Sequence, residues 1–407
     1  MDERTSQPAR HRLVTKGAAS RSLAAELVGR IVRDGAYSNV VLRSATSKLS
    51  PPDRALVYAD VYAVLRRRDA IDELIAGVSG RSVADIDPDL LDRLRVGVVE
   101  LKVHNTPPHA AVDSIVGGVD NRGRRGFVNA VLRKLVGAAE LPPPRLPDWI
   151  RSVLETDWGT VDAFEAASLA DAPLAVRLRP GAPEVGNAVE GIAPARIIED
   201  AATAGDLVRK GEATIADPAS TAVGMAVEAA PGERILDMAA APGGKTIHLR
   251  DAMEGTGLLV AADVHHRRLV SAARRVEDPW ISWLLVDGTR PAFKPGSFDR
   301  VLLDAPCTGL GTLRRRPEIM HRIEPRSIDD LAKLQSRLLD AAIDLVRPGG
   351  RVVYSVCTVT AAETTGIVGP RGGRAPAGLP GADLGSGLML RPDTTGTDGM
   401  FISVIDR

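Results

Sequence analysis

Between residues 20 and 137 apolar side chains return every third or fourth position. Leu23, Leu27 and Ile31 repeat at a spacing of four. Val57, Val61, Val64 and Leu65 line one face of a second segment, introduced by Pro51-Pro52-Asp53, and Leu90, Leu91, Leu94, Val98 and Leu101 form a third stripe behind Pro88. That is the period of an amphipathic helix, and no strand-like alternation interrupts it. The pattern predicts an all-α domain over 20–140. Residues 1–19 are polar, contain arginine and lack an apolar core, so they read as a flexible tail and not as a signal peptide.

Leu141-Pro-Pro-Pro-Arg-Leu-Pro147 is a stiff, polyproline-like linker. The stretch after it, 148–220, mixes a helix near Trp149–Glu155, a strand-like run at Leu174–Leu178 and irregular turns, too little for an independent sheet of any size. It reads as a small α+β subdomain whose last residues, Ala216-Asp-Pro-Ala-Ser220, open a helix. Over 221–407 strands and helices alternate, the signature of a parallel α/β sheet. Strands are expected at 233–238, 257–263, 281–287, 298–304 and 350–356. The helices between them run over 265–277 and 327–346, the second closed by Arg347-Pro-Gly-Gly350. Residues 366–387, rich in Gly, Pro and Ala without periodicity, read as a loop, and 388–390 with 400–405 as a closing hairpin.

Composition narrows the classes. With 52 basic and 52 acidic residues the formal charge is zero, so a nucleic-acid surface has to be a local patch. One such patch is Asp120-Asn-Arg-Gly-Arg-Arg-Gly-Phe127, where Phe127 beside Arg124 and Arg125 leaves RNA contact open. Aromatic residues are only 3% of the chain, against a stacking platform for single strands. No apolar run approaches the ~18 residues of a membrane span. The only two cysteines are Cys307 and Cys357, and a cytoplasmic protein is the natural reading.

The chemistry gathers at strand ends, where ligands of doubly wound sheets sit. The first strand runs into Ala239-Ala-Ala-Pro-Gly-Gly-Lys-Thr246, whose Gly243 and Gly244 let the backbone pass close to a ligand. A phosphate-cradling Walker loop needs a glycine where Ala239 stands, which argues against a nucleoside triphosphate. Asp263 follows this loop by ~20 residues, the spacing at which an acid meets ribose hydroxyls. Asp287 ends the next run, and the pair suggests a bound adenosyl group. The fourth strand ends in Asp304-Ala-Pro-Cys-Thr-Gly309 and the fifth in Tyr354-Ser-Val-Cys-Thr358. If these two strands are neighbours, both thiols meet at the mouth of the cofactor site.

A thiol and a carboxylate beside such a cofactor suit methylation of a pyrimidine at C5. A thiolate adding to C6 pushes electron density onto C5, which then attacks a sulfonium methyl group. Asp304, through a hydrogen bond to ring N3, stabilises the charge of the adduct, and a base then removes the C5 proton so that the thiol can leave. The residues alone do not say which cysteine attacks, nor which group is that base. Arg314-Arg-Arg316, close behind Cys307, reads as a phosphate-binding stripe. His265-His266 diverge on a helix without a partner spaced for zinc, so no metal is expected.

Two resemblances join these parts. "AYSNVVL", "DRALVYADVYAVLRRRDAID", "LRVGVVELKVHNTPPHAAVDSIV" and "RGFVNAVLRKL" resemble, in order, a NusB-type helical RNA-binding domain. "LDMAAAPGGKT", "ADVHHRRL", "VDGTRP", "FDRVLLDAPCTGLGTLRRRPEI", "GGRVVYSVCTV" and "TDGMFISVI" resemble the RsmB/Sun group of S-adenosylmethionine-dependent RNA cytosine-C5 methyltransferases. The resemblance implies a NusB-like bundle over 20–140, a small RNA-binding subdomain over 148–220 and a Rossmann-like methyltransferase domain over 221–407. It implies Cys357 as the nucleophile, Cys307 as the residue that helps release product, and Asp304 beside them. The cofactor falls to Ala239, Ala240, Ala241, Pro242, Gly243, Gly244, Lys245, Asp263, Arg268, Asp287 and Asp304. The partner it implies is RNA, 16S rRNA in particular, for a protein read as a monomer without membrane or metal. A tRNA substrate and a non-catalytic assembly factor are the rival readings.

The chain departs from the family pattern in places. Ala239 stands where relatives carry a cysteine, and "YSVCTV" replaces "YSTCS". Arg177-Leu-Arg-Pro180 replaces "RVN", Ala216-Asp217-Pro-Ala-Ser-Thr221 replaces "QD-ASQ", and Ala362-Glu363-Thr364 is what remains of "ENE".

Overall fold

The computed structural model describes residues 8–407, with side chains from residue 17 onward. The chain divides into two compact units. One holds the residues up to Arg145 together with Arg315–His321; the other holds Leu146–Arg314 and Arg322–Arg407.

Among the described residues six α-helices build the first unit: α1 (Pro8–Val32), α2 (Ser38–Ala45), α3 (Pro51–Ser79), α4 (Pro88–Lys102), α5 (Pro108–Gly117) and α6 (Arg122–Val136). Because α1 starts at Pro8, residues 8–19 of the expected tail are helical, and its residues 1–7 lie outside the described ones. Caps fix several starts. Ser50 accepts from the Asp53 amide ahead of α3, Asp87 from Asp89 and Leu90 ahead of α4, and Asn121 from Gly123 ahead of α6. The stripes read along the chain converge: Leu27, Ile31, Val57, Val61, Val64, Leu94 and Val98 are all fully buried. Side-chain length and spacing explain the helices; the fold gains its stability from burying these faces together.

The segment Arg315–His321 belongs to this unit although it lies 170 residues past Arg145 in the chain. Its Glu318 carboxylate accepts from the Ser38 amide at 3.1 Å and the Ser38 hydroxyl at 2.9 Å, in a buried setting. Tyr62 donates to the Arg315 carbonyl at 3.1 Å. On α6 the basic cluster is partly engaged within the protein. Arg124 pairs with Asp87 at 2.6 Å, Arg125 donates to the Val119 carbonyl, and Phe127 packs on the helical core beneath the Arg81 guanidinium.

The second unit begins with α7 (Asp148–Trp158) and α8 (Asp162–Ser168). A small antiparallel sheet of order β2-β3-β1-β4 follows, made of β1 (Ala175–Leu178), β2 (Asn187–Ala188), β3 (Ala195–Ile197) and β4 (Ala213–Ile215), with α9 (Ala201–Arg209) before β4. These strands are two to four residues long, below the length at which alternation is visible in a sequence. This sheet and the residues after it lie in one compact unit.

Next come α10 (Pro218–Val227), β5 (Arg234–Asp237), α11 (Gly244–Ala252), β6 (Leu258–Asp263), α12 (His266–Val276), β7 (Ile281–Leu285), β8 (Phe298–Asp304), α13 (Pro325–Leu345), β9 (Val346–Val356), α14 (Thr365–Val368), β10 (Ala382–Asp383), β11 (Leu388–Leu390) and β12 (Met400–Asp406). The large sheet has the order β10-β11-β12-β9-β8-β5-β6-β7. From β7 to β9 the pairing is parallel; β12, β11 and β10 add an antiparallel edge. The buried runs Ile235–Leu236, Leu259–Ala262, Val301–Leu303 and Val352–Val356 explain why the strands carry nearly unbroken apolar stretches. Two sequence expectations shift. β9 starts at Val346, so Arg347–Gly350 lies inside a strand with a register irregularity opposite Phe298 and Arg300, and the Gly/Pro-rich 366–387 segment is tied down by Arg374 bridging Val404. β8 and β9 are neighbours, with Asp304 paired to Ser355, and that pairing sets up the site.

Candidate active site

β5 delivers Asp237, which is fully buried, and the chain then turns through Met238–Pro242. Gly243 holds a left-handed conformation (φ 93°) as the N-cap of α11, and a side chain there would press on Trp283 and Val276. Only glycine makes this turn without strain. One turn into α11, Thr246 donates to Asp237 Oδ2 at 2.6 Å, and Lys245 Nζ donates to Asp304 Oδ2 at 2.7 Å. Burial pushes Asp237 up to about 7; Asp304 and Asp263 add to the rise, while Thr246 and Lys245 oppose it. For Lys245 burial acts downward, but Asp304, Cys357 and Asp237 outweigh it, so the ammonium is held charged more strongly than usual.

At the ends of β8 and β9 the two cysteines meet. Cys307 Sγ and Cys357 Sγ are 3.4 Å apart, both half-buried and free of any disulfide. Ser355 donates to Asp304 Oδ1 at 2.8 Å, so one carboxylate links the β9 end to Lys245 on α11. Backbone bonds fix the same junction: Ala305 N to Ser355 O at 2.8 Å and Gly311 N to Cys357 O at 3.0 Å. A Cβ on Gly311 would lie 2.1 Å from the Gly399 carbonyl, so the loop behind Cys307 passes a strand end too closely for a side chain. The hydrogen bond from Cys357, then burial, then the negative charges of Cys357, Glu363 and Asp304 raise the Cys307 thiol well above its ordinary range. Cys307 therefore keeps its proton.

A pocket of about 260 Å³ opens beside this junction, lined by Ala239, Ala240, Ala241, Pro242, Gly244, Lys245 and Asp304 from the expected set. Arg177, Asp217, Asp237 and His248 also line it. Gly243, Asp263, Arg268 and Asp287 are not part of that lining. Asp263 instead accepts from the Ala241 amide at 3.2 Å and the His265 amide at 2.8 Å, and Arg268 donates to the Ala241 carbonyl at 3.0 Å. Both grip the glycine loop itself. Asp287 is exposed and accepts from the Thr289 hydroxyl and amide, bonds that hold its carboxyl below the usual range.

One reading from the sequence is corrected here. Arg314 is buried, bonded to Asp398 at 3.3 Å and facing Asp217 at 3.7 Å, so it does not belong to a phosphate-binding stripe. Residues that sequence reasoning passed over include Asp237, Thr246, Ser355 and Thr308. An acid closing the apolar run Ile235-Leu236-Asp237 was the available signal for the first of them.

Comparison with known proteins decides the family. The 16S rRNA methyltransferase RsmB/F family matches residues 224–371, and the NusB family matches residues 18–137. Rv1407 of Mycobacterium tuberculosis, named as a methyltransferase, is 36% identical over 95% of this chain and 96% of its own length. Ribosomal RNA small subunit methyltransferase B of Thermus thermophilus is 33% identical over 86% of each chain. The chain belongs to the RsmB/F methyltransferase family. The crystal structure of PH0851 superimposes with a TM-score of 0.83 over 97% of this chain and 99% of that one, at 21% identity, and so shares the fold.

As an RsmB/F-type RNA methyltransferase the chain uses S-adenosylmethionine. The pocket residues fit such a ligand. Asp237 Oδ1 is buried with no hydrogen-bond partner and lines the pocket, a carboxylate oxygen awaiting a donor or a cation. An amino group and a sulfonium are what the cofactor brings. Among the described residues no cluster of three or more His, Cys, Asp or Glu could hold a metal ion, and no helix is long and apolar enough to cross a membrane.

Proposed function

We propose that this protein methylates C5 of a cytosine in RNA, with small-subunit rRNA as the substrate, through a covalent bond between Cys357 and the base. The observation that carries the reading is the 3.4 Å approach of the two sulfurs at the ends of adjacent strands, beside a carboxylate tied to the cofactor loop. The rRNA assignment is supported by the relatives, which are named ribosomal RNA small subunit methyltransferase B.

Cys357 attacks C6 as the thiolate, forming an S–C6 bond while the ring's π electrons move onto C5 and the N3 side. Asp304, held in place by Lys245 and Ser355, acts in its protonated form, its carboxyl O–H donating to ring N3 where that charge builds. Bound S-adenosylmethionine supplies the electrophilic methyl group that C5 takes. A base then removes the C5 proton, the C5–C6 double bond re-forms, and the C6–S bond breaks with its electron pair left on Cys357. Cys307, protonated and 3.4 Å away, donates to that departing sulfur and so favours release. The target base leaves its stack to reach such a site.

The test is transfer of a labelled methyl group to a small-subunit rRNA transcript, with bisulfite sequencing of the product. One protected cytosine supports the proposal. Transfer to another atom or base contradicts it.

A further inference from the structure

Glu363 sits on a short turn after Cys357, is wholly buried and lies outside the pocket lining. Its carboxylate collects five donors. Oε1 accepts from the Thr308 amide at 2.9 Å and the Gln335 amide group at 3.0 Å. Oε2 accepts from the hydroxyls of Thr308 at 2.5 Å, Thr358 at 3.1 Å and Thr360 at 2.9 Å. Thr308 and Thr358 are the residues directly after the two cysteines, and their hydroxyls are 2.8 Å apart. Gln335 of α13 also donates to the carbonyl of Pro306, the residue before Cys307. Tyr354 closes the ring, donating to the Glu363 carbonyl at 2.8 Å.

An apolar residue could fill this space, but it could not bind both loops at once. Removing the carboxylate would leave five buried donors without their acceptor, which is costly. Building on the cytosine-C5 reading above, we propose that Glu363 is the positioning residue that holds the Cys307 and Cys357 loops so that their sulfurs face each other. Its charge has a second effect. The charged and titratable groups acting on Cys307 include Cys357, Glu363, Asp304 and Tyr354, and Lys245 pairs with Asp304. The Glu363 charge helps hold the proton on Cys307, while the Lys245 ammonium is coupled to Cys357.

The experiment compares the full chain with Glu363→Gln, Glu363→Ala, Thr308→Val and Thr308→Ser. One readout is alkylation of Cys307 by iodoacetamide against pH, followed by peptide mass spectrometry; it needs neither RNA nor cofactor. The other is kcat and KM for methyl transfer. Glu363→Gln is expected to move the Cys307 alkylation midpoint to lower pH, because a neighbouring negative charge is gone. Glu363→Ala and Thr308→Val are expected to lower kcat by ~10-fold or more at little changed KM for S-adenosylmethionine, with Thr308→Ser restoring it. Should Glu363→Ala fail to fold, the Thr308 pair and Glu363→Gln decide. Wild-type alkylation profiles and wild-type kcat in the folded variants overturn the proposal. A shifted profile in a protein that methylates no cytosine keeps Glu363 in its role and overturns the reaction instead.

Discussion

Cys307 and Cys357 stand fifty residues apart in sequence and 3.4 Å apart at their sulfurs. The parallel pairing of β8 with β9, in register from Arg300 and Arg351 to Asp304 and Ser355, brings them there. Two thiols at this distance have unequal chemistry, because a proton on one stabilises a negative sulfur on the other.

Cys357→Ala is therefore expected to reduce methyl transfer by roughly 10⁴-fold or more, the scale seen when a covalent nucleophile is removed. Calorimetric binding of S-adenosylmethionine should persist, since Cys357 is not among the pocket-lining residues. A variant with near-normal turnover would show that this sulfur does not attack.

Much of this was legible in the sequence, for physical reasons that differ by element. The stripes of α3 and α4 are long enough for their period to show, and β5, β6 and β8 stand out as nearly unbroken apolar runs closed by an acid. The convergence of the two cysteines followed from one assumption, that the fourth and fifth strands pair. What stayed hidden depends on contacts distant in the chain. Glu318 is an ordinary surface-type acid until Ser38 is found beside it, and Arg314 reads as a free cation until Asp398 closes on it. Of the four short strands around Arg177 only β1 showed, as the run Leu174–Leu178; β2, β3 and β4 carry two or three residues each, too few for any pattern.

Asp237 gives the protein a pH dependence with a defined sign. Its folded value of about 7 lies above the ordinary 3.8, so its contribution to folding is fully present below about pH 4 and is lost as pH rises through about 7. Cofactor-free protein should lose thermal stability across that window, and Asp237→Asn should flatten the slope. Binding of the cationic cofactor should expel the Asp237 proton, so affinity increases as pH rises through about 7. Calorimetry in buffers of different ionisation enthalpy measures that proton release.

Asp251 is the counter-ion of the small sheet. Arg177 Nη2 donates to its Oδ2 at 2.8 Å and Arg179 Nη2 to its Oδ1 at 2.5 Å, with Arg177 and Asp251 both buried. Burial pulls Arg177 below its usual proton affinity, and Asp251 opposes that pull. Asp251→Ala leaves a buried guanidinium uncompensated, and the expected loss is about 3–5 kcal/mol. Chemical denaturation measures it; Asp251→Asn, which keeps an acceptor, should lose less.

Gly311→Ala probes the loop geometry. The added carbon would meet the Gly399 carbonyl at 2.1 Å, so the loop must move and the bond from Gly311 N to Cys357 O must stretch. The expected result is a folded protein with kcat lowered by ~10- to 100-fold, the range in which small misplacements of reacting groups act. Turnover assays beside circular dichroism check it.

The most direct measurement uses Cys307→Ala with small-subunit rRNA transcript and S-adenosylmethionine. With Cys357 intact and its proton-bearing neighbour gone, the methylated adduct forms faster than it resolves. A protein–RNA complex that survives denaturing electrophoresis should accumulate, with mass spectrometry mapping the linkage to Cys357. Free RNA methylated at the normal rate with no such complex, or a linkage at another residue, would contradict the account.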